Sequence, residues 1–199
     1  MLRPPRQQFL QYELEMNPNS VVDWTNFCRE LLAQWSSQNI LLNGPGKIIE
    51  IDEAKIGKRK YNRGRIIQRQ WVFEGYERDS GHIFIIPIKN RTESTLITKI
   101  RRYMLPETTI YSDFWRGYRS ISQHNYIHAY VNHSENFVNP INGCHTQNIE
   151  RVWRDMRGAI PRYGISERHY KHYIAEFLFK RNYPFEERIE AFFQIMADI

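Results

Sequence analysis

Cysteines and long hydrophobic runs are scarce in this sequence. Only Cys28 and Cys144 occur among its 199 residues, which excludes a fold stapled by disulfides. No stretch approaches the roughly 18 apolar residues of a membrane-spanning helix, and no hydrophobic signal stretch lies near Met1. An aromatic content of 14% is too high for a disordered chain. We therefore expect a soluble, intracellular globular domain with free thiols.

Acidic residues are absent from residues 55–69, which we call the basic arm. The whole chain has 28 Lys and Arg against 22 Asp and Glu, a formal charge of +6. Seven of these basic residues lie in the arm: Lys55, Lys58, Arg59, Lys60, Arg63, Arg65 and Arg69. Unpaired cations at this density repel one another unless an anion is near. The arm therefore predicts an anionic partner, and a solvated loop is the alternative. If the partner is DNA, the first six cations of the arm are the candidate DNA-binding residues.

The apolar patterns predict an N-terminal helical prefix. Residues 1–19 are polar and contain three prolines, so we expect an arm with at most a short helix. Residues 24–35 repeat apolar side chains every three or four positions, which indicates an amphipathic helix with Ser20 or Asp23 as its N-cap. A breaker at residues 43–46 separates this prefix from the rest of the chain.

An α/β domain is predicted after the prefix. Strands are expected at residues 47–57, 71–78, 82–89, 109–112 and 127–131, and helices at residues 92–104, 144–160 and 169–182, with a short helix before the last strand. The Asp79-Ser80-Gly81 turn favours an antiparallel hairpin, whereas a helix joining two strands favours a parallel crossover. The predicted fold is a mixed five-stranded sheet, three strands antiparallel and the others parallel, flanked by helices.

Three acidic residues occupy positions that such a fold brings together. Asp52 lies within the first strand, Asp113 follows the fourth, and Glu150 lies on the long helix after the fifth. A carboxylate inside an apolar strand is costly unless it has a partner, and two adjacent carboxylates cannot both stay ionised without a cation. Mg²⁺ is the cation that this chemistry favours, and two ions would clamp both oxygens of a phosphoryl displacement.

The helix that carries Glu150 has a polar stripe beside its apolar stripe. Glu150, Arg154 and Arg157 follow one another at i, i+4 and i+7, beside the apolar stripe of the same helix. This spacing predicts that an acid and two arginines face one site, and Arg154 is a further candidate DNA-binding residue. The alternative is an ordinary exposed Glu150–Arg154 pair, and the mixed basic and acidic residues of 151–181 fit a solvated face equally well.

Five segments resemble the catalytic domain of Merlin-type DDE transposases and the related bacterial insertion-sequence transposases. They are IEIDEAKIGKRKYNRGR, RQWVFEGYERDSG, TTIYSDFWRGY, VNHSENFVNPINGCHTQNIERVWRDMRG and YIAEFLFKRNY. The resemblance implies an RNase H-like fold and a DDE triad of Asp52, Asp113 and Glu150, with 36 residues between the last two. It also implies that these three hold two Mg²⁺ or Mn²⁺ ions, and that Arg157 stands where relatives often have a catalytic lysine.

The resemblance suggests a division into three regions. Residues 1–46 form the arm and amphipathic helix, residues 47–183 the catalytic domain, and residues 184–199 a C-terminal helical tail. Relatives usually carry a zinc ribbon or helix-turn-helix module that recognises transposon ends, and no such pattern precedes Val21. We therefore expect recognition of the transposon ends by this chain to be affected. Three interpretations of the chain stay open: a catalytic fragment of a longer transposase, a decayed copy or a domesticated gene product.

Other polar and aromatic residues admit competing interpretations. A zinc site is one interpretation of the histidines and cysteine at 124, 128, 133, 144 and 145, but their spacing matches no structural zinc pattern. We assign His145 and Asn148 a supporting role beside the metal site instead. Trp71, Trp115 and Trp153 are interpreted as core residues. For Trp115, two residues after Asp113, stacking on a base is the alternative.

The expected function is metal-dependent DNA cleavage and strand transfer, that is, transposition. The expected partners are transposon ends, target DNA and further copies of the chain, with no membrane. The alternatives are a DNA-binding protein of this fold without catalysis, and a structure-specific nuclease. Localisation follows from function: the nucleus in a eukaryote, the cytoplasm in a bacterium.

Removing four cations from the basic arm tests its contact with DNA. Simultaneous replacement of Lys58, Arg59, Lys60 and Arg63 by Ser should flatten the dependence of log affinity on log salt by about 0.9 per lost phosphate contact on duplex DNA. Fluorescence anisotropy across a salt series measures this slope. An unchanged slope would show that the arm is a solvated loop.

Overall fold

The structure is a computed structural model that describes residues 7–38, 44–57, 70–161 and 165–199. Most of the basic arm therefore lies outside the described residues, including Lys58, Arg59, Lys60, Arg63, Arg65 and Arg69. Lys55 is described and exposed. The chain forms two compact units, one from residues 1–38 and 171–199, the other from residues 39–170.

The larger unit contains a five-stranded sheet and two long helices. In chain order its elements are β1 (Ile48–Ile56), β2 (Gln70–Glu77), β3 (Ile83–Ile88), α3 (Glu93–Tyr103), β4 (Thr109–Asp113), β5 (Ile127–Val131) and α4 (Gln147–Ala159), preceded along the chain by helices α1 (Gln7–Glu13) and α2 (Pro18–Ser37) of the other unit. Two short 3₁₀ turns at residues 116–118 and 121–124 connect β4 to β5, where the sequence predicted a short helix.

The strand order β3-β2-β1-β4-β5 confirms the predicted RNase H-like fold. β1, β2 and β3 pair antiparallel, whereas β4 is parallel to β1 and β5 is parallel to β4. α3 forms the crossover between β3 and β4, as a parallel connection requires. The order places β1 at the centre of the sheet, so any polar group on it is far from the edges.

Alternation along β1 separates an apolar face from an acidic face. Ile49 and Ile51 are fully buried in a core that also contains side chains of α3 and β4: Leu96, Ile97, Ile100, Tyr103 and Ile110. Because successive strand residues point to opposite faces, Glu50 and Asp52 face the other side. There α4 covers the sheet with the stripe predicted from sequence, namely Ile149, Val152, Trp153 and Met156. One helix thus lies over the polar residues of the central strand.

The smaller unit is helical. It consists of α1, α2, α5 (Tyr170–Asn182, of which Tyr170 belongs to the larger unit) and α6 (Arg188–Asp198). Leu32, Ala175, Phe179 and Ile195 form its buried core. The predicted boundaries at 46 and 183 were drawn along the family resemblance and stay a prediction; the compact units divide the chain at residues 38 and 170 instead.

α2 begins earlier than the sequence suggested. Its N-cap is Asn17, whose side-chain oxygen accepts a hydrogen bond from the Asn19 N–H at 2.9 Å, so the choice of Ser20 or Asp23 was wrong. Pro18 occupies the first helical turn, where its missing N–H costs nothing. Among the described residues, no helix is long and apolar enough to span a membrane.

Substitution of Gly75 tests the packing of the sheet. It pairs with Phe84 across β2 and β3, and a Cβ at this position would lie 2.4 Å from Phe84 Cε1. Gly75→Ala should lower the free energy of unfolding by about 1–3 kcal/mol because the ring must shift within a packed core. Urea unfolding followed by tryptophan fluorescence gives this value.

Gly158→Ala is the matched control. A Cβ at Gly158 on α4 would meet nothing within 4 Å, so this variant should be as stable as the wild type or gain up to about 1 kcal/mol. Equal destabilisation by the two substitutions would contradict the packing of Phe84 over Gly75.

Candidate active site

Parallel pairing of β1 and β4 leads towards Asp52 and Asp113. The two strands pair Ile48 with Thr109 and Glu50 with Tyr111, an offset of 61 positions (109 − 48 = 61; 111 − 50 = 61). The same offset continued by two residues places Asp52 opposite Asp113. Their charges interact, since Asp113 raises the pKa of Asp52. The structure thus brings together the first two acids that the sequence singled out.

Two N–H donors hold the Asp52 carboxylate. Trp153 Nε1 on α4 donates to Oδ2 at 2.9 Å, and the Glu53 backbone N–H donates to Oδ1 at 2.7 Å. Burial, followed by the negative charges of Glu53 and Asp113, raises the pKa of Asp52 to about 7, and the two donors only partly offset this. Asp52 is therefore a fixed carboxylate in a place where a negative charge is costly.

Asp113 is held at the end of β4 by the turn that comes after it. Its Oδ1 accepts a hydrogen bond from the Trp115 N–H at 3.0 Å. Burial raises the pKa of Asp113, while this N–H, His133 and Arg91 lower it. In both aspartates, therefore, burial makes the negatively charged form of the side chain unfavourable.

Glu53 is a third carboxylate at this place, and sequence reasoning missed it. Its side chain is 2% exposed, accepts a hydrogen bond from the Tyr118 hydroxyl, and lies 3.5 Å from Arg91 Nη1. Burial raises the pKa of Glu53 to about 7; the repulsion of Asp113 adds to it, and Tyr118 and Arg91 oppose it. The available signal was a second acid directly after Asp52 in the same strand.

Arg91 is the cation beside this acidic group. Its guanidinium lies 3.8 Å from the centre of a Trp115 ring and 4.9 Å from that of a Trp71 ring. Both tryptophans also pack against the core, which agrees with their interpretation as core residues, and Trp153 is buried. Trp115 is thus engaged with Arg91 rather than open to a base.

Glu150 lies on α4, one turn before Trp153. Its side chain is 58% exposed, and its Oε1 is 4.0 Å from His133 Nε2. Arg154 and Arg157 are exposed on the same helix, and that they face one site together with Glu150 stays a prediction. His133, which lowers the pKa of Asp113, therefore lies within reach of both Asp113 and Glu150.

The donor chemistry at Asp52 and Asp113 suits a hard divalent cation. Adjacent carboxylates whose pKa values are raised by burial gain most from a positive charge between them. Within the described ranges, no three His, Cys, Asp or Glu side chains form a group that could hold a metal ion. The assignment of Glu150 as the third ligand stays a prediction.

His145 and Asn148 lie at Glu50, a residue that sequence reasoning passed over. Asn148 Nδ2 donates to Glu50 Oε1 at 2.8 Å, and His145 Nδ1 lies 3.8 Å from the same oxygen. Glu50 is fully buried and accepts a further hydrogen bond from Arg78 Nε at 2.8 Å. The supporting role of the two residues beside a metal stays a prediction; their contact in this structure is Glu50.

The candidate zinc ligands among the histidines and cysteine are engaged elsewhere. His128 Nε2 lies 2.9 Å from Ser112 Oγ, and His133 Nε2 lies 2.8 Å from Thr146 Oγ1. Burial raises the pKa of the Cys144 thiol to about 11, which disfavours the thiolate that zinc requires. The described part of the chain includes no metal-binding group of these residues.

Comparison with known proteins identifies a family. The model of the ISXO2-like transposase domain matches residues 42–182, more than two thirds of the chain. An "uncharacterized transposase-like protein" of Haemophilus influenzae is 26% identical over 98 residues, which cover 47% of this chain and 76% of that protein. The matched family region includes Asp52, Asp113 and Glu150.

Solved structures of viral integrases resemble the chain weakly. The catalytic core of BIV integrase is 13% identical with a TM-score of 0.44, covering 72% of this chain and 94% of that one. The HTLV-2 integrase catalytic core in complex with magnesium is 12% identical with a TM-score of 0.40, covering 72% and 87%. A chain of the simian T-cell lymphotropic virus intasome with PP2A regulatory subunit B56 gamma is 16% identical with a TM-score of 0.45. That match covers 74% of this chain, which spans about half (52%) of the intasome chain.

The raised pKa of Asp52 predicts a pH-dependent stability. The pKa of an aspartate is 3.8 in its ordinary state and about 7 for Asp52 in the folded chain, so between these values the folded chain binds more protons than the unfolded one. The free energy of unfolding of the metal-free protein should therefore fall as pH rises from 5 to 8. Asp52→Asn cannot ionise and should remove about 2 kcal/mol of that fall.

Urea unfolding in EDTA at four pH values between 5 and 8 measures this difference. Other groups titrate in the same interval, so the informative quantity is the wild type minus the Asp52→Asn variant. Asp79→Asn, at an exposed carboxylate paired with Lys47, is the control and should behave as the wild type does. An Asp52→Asn profile parallel to the wild type would contradict the proposed burial cost.

Proposed function

This chain belongs to the family of ISXO2-like transposase domains, and we propose that it is a transposase catalytic domain that cleaves and joins DNA strands with divalent metal ions. The observation that supports the proposal is the pair Asp52 on β1 and Asp113 at the end of β4: the charge of Asp113 acts on Asp52, and both carboxyl pKa values are raised. Such a pair is most stable with a cation between its oxygens. Metal ions held by carboxylates are suited to phosphoryl transfer, because they stabilise both the attacking and the leaving oxygen.

Asp52, Asp113 and Glu150 would hold the metal, Mg²⁺ or Mn²⁺, as two ions. Bound there, the ions would neutralise charge on the phosphate and on the attacking and leaving oxygens of the displacement. Carboxylate oxygens are the ligands these hard ions prefer. No covalent intermediate with the protein is required, because water or a DNA 3′-hydroxyl serves as the nucleophile.

The chain itself supplies fixed ligand positions. Trp153 Nε1 and the Glu53 N–H orient Asp52, and the Trp115 N–H orients Asp113. These donors keep both carboxylates in place before any DNA arrives, so little reorganisation is needed when the substrate binds. Glu53 is a buried carboxylate near the pair and is held by Tyr118 and by the partly exposed Arg91.

Exposed cations next to the carboxylates would contact the DNA backbone. Arg154 and Arg157 lie on the same stripe of α4 as Glu150, and Lys55 lies at the end of β1, its Nζ 4.7 Å from the centre of a Trp71 ring. We assign Arg157 to the phosphate at the reacting position and Arg154 and Lys55 to flanking phosphates. Backbone contacts of this kind supply affinity without sequence specificity.

The proposed function includes a transposase subtype and an oligomeric assembly on DNA. The five segments that resemble Merlin-type transposases support a Merlin-type relationship. Binding of transposon ends and target DNA by a homo-oligomer would place two active sites on two DNA ends.

One observation favours a second candidate function. Because the Glu150 side chain is 58% exposed and outside any three-ligand group among the described residues, the chain could retain the fold and basic surface as a DNA-binding protein without catalysis. A structure-specific nuclease would use the same carboxylates but would cleave without joining strands. An assay that scores binding, cleavage and joining separately distinguishes all three.

Asp113→Asn should abolish strand cleavage and joining while leaving DNA affinity near the wild-type value. The lost carboxylate serves the metal, whereas the exposed cations serve the phosphates. The substrate is a labelled DNA end supplied in trans with Mg²⁺ or Mn²⁺, and the chain is fused to a foreign DNA-binding domain. Products are resolved on gels, and anisotropy measures binding; we expect activity to fall by at least about 1,000-fold, the scale of losing an essential electrostatic group.

Asp79→Asn is again the control, since it makes the same chemical change at an exposed carboxylate. It should keep full activity. Cleavage without joining by the wild type would favour the nuclease, and binding without any metal-dependent product would favour the non-catalytic DNA-binding protein. Equal activity of Asp113→Asn and wild type would overturn the catalytic assignment.

A further inference from the structure

We propose that Glu50 is a positioning residue that sets Glu150 relative to Asp52. The inference rests on the proposed function, because it concerns the geometry of the same three acids. Glu50 is absent from the triad implied by sequence, and its side chain reaches no solvent. Its importance comes from four hydrogen bonds that tie β1 to the first turn of α4 and to Arg78.

The Glu50 carboxylate accepts the first free N–H groups of α4. Its Oε2 accepts from the backbone N–H of Asn148 and of Ile149, both at 3.1 Å. Its Oε1 accepts from Asn148 Nδ2 and from Arg78 Nε, both at 2.8 Å. The two backbone amides are among the four at a helix start that have no partner within the helix, and a negative charge there is favoured by the helix dipole.

Glu50 performs this capping because the local candidate does not. Thr146 is the N-cap residue of α4, but its side chain makes no capping hydrogen bond. Its hydroxyl instead lies 2.8 Å from His133 Nε2. The start of α4 is therefore held by a residue about a hundred positions earlier in the chain, on the central strand.

The same carboxylate connects two catalytic positions. Asp52 is two residues after Glu50 and on the same face of β1, while Glu150 directly follows Ile149 on α4. A second hydrogen bond between α4 and β1, from Trp153 Nε1 to Asp52, is one turn further along α4. Two contacts between one strand and one helix define where the helix begins and how it is rotated, which decides where Glu150 lies.

Arg78 completes the arrangement by balancing the buried charge. Besides Glu50, its guanidinium donates to the His145 carbonyl at 2.9 Å and lies over the Tyr111 ring. A buried carboxylate with four donors, one of them a cation, is well satisfied. Its removal leaves Arg78 and three N–H groups without this acceptor, so a substitution acts on the start of α4 rather than on the sheet.

Glu50→Gln tests the inference in the full chain with the metal alone as the probe. The amide has one acceptor oxygen in place of two and no charge, so the first turn of α4 should loosen. We expect Mn²⁺ affinity, measured by electron paramagnetic resonance of the free ion, to fall about tenfold, the usual size of such supporting effects. DNA affinity without metal should change less than about twofold, because the exposed cations are untouched.

A double-mutant cycle distinguishes positioning from general damage. If Glu50 acts through Glu150, then Glu50→Gln should weaken Mn²⁺ binding strongly in the wild type but little in a Glu150→Gln background. If the fold-changes in Mn²⁺ affinity of the two single variants multiply in the double variant, Glu50 does not act through Glu150. That result would overturn the proposal. Unchanged Mn²⁺ affinity in Glu50→Gln would overturn it equally.

Two further variants keep the test decisive. Glu176→Gln removes a carboxylate of the smaller unit that bridges two cations, Arg29 and Lys180; it should leave Mn²⁺ affinity unchanged. If Glu50→Gln does not fold, Asn148→Ala replaces it, since it removes only the side-chain bond to Oε1 and should still weaken Mn²⁺ binding by about threefold. Wild-type affinity in a folded Asn148→Ala would then count against the proposal.

The failure of this inference is separable from the failure of the proposed function. A wild-type chain that binds no Mn²⁺ fails at the first measurement, and the metal-dependent function and the role of Glu50 fall together. A wild type that binds Mn²⁺ while the Glu50 variants behave as Glu176→Gln does leaves the proposed function intact and rejects the positioning role alone.

Discussion

The burial of carboxylates where β1 and β4 meet, increased by their mutual repulsion, is the constraint on which the site depends. The parallel pairing of β1 and β4 leads towards Asp52 and Asp113, and Glu53 adds a third acid from the other face of β1. Solvent screens these charges poorly, so the folded chain carries a local electrostatic cost. A cation at this place would relieve that cost, which links the stability of the fold to the proposed chemistry.

The surrounding structure limits this cost without removing it. N–H donors from Trp153, Glu53 and Trp115 stabilise the charged carboxylates, and Arg91 supplies a nearby positive charge. The pKa of Asp52 nevertheless remains raised to about 7. If the protein's own groups neutralised the carboxylate charges fully, a metal ion would not be needed. A site for an exchangeable cation therefore requires that these charges be compensated only in part. The residues that limit this cost and the proposed catalytic residues therefore share the same few hydrogen bonds.

Local periodicity made much of the architecture predictable. Alternation and turn residues located all five strands within one or two residues, and the helical spacing of Ile149, Val152, Trp153 and Met156 identified the buried stripe of α4. The same arguments brought Asp52 and Asp113 together, because parallel neighbouring strands require it. Helix ends were harder: Asn17 caps α2, since several polar residues near a helix start compete and only packing selects among them.

The sequence by itself determined the succession of strands and helices, the three candidate acids and the exposed stripe of Glu150, Arg154 and Arg157, because each of these depends on spacing along the chain. Only the tertiary structure decided that Glu50 caps α4, that Arg91 lies against Trp71 and Trp115, and that Glu53 is bound by Tyr118. These contacts join residues about 20 to 100 positions apart. Their existence depends on how the sheet and helices pack, and local sequence patterns carry no information about distances between distant segments.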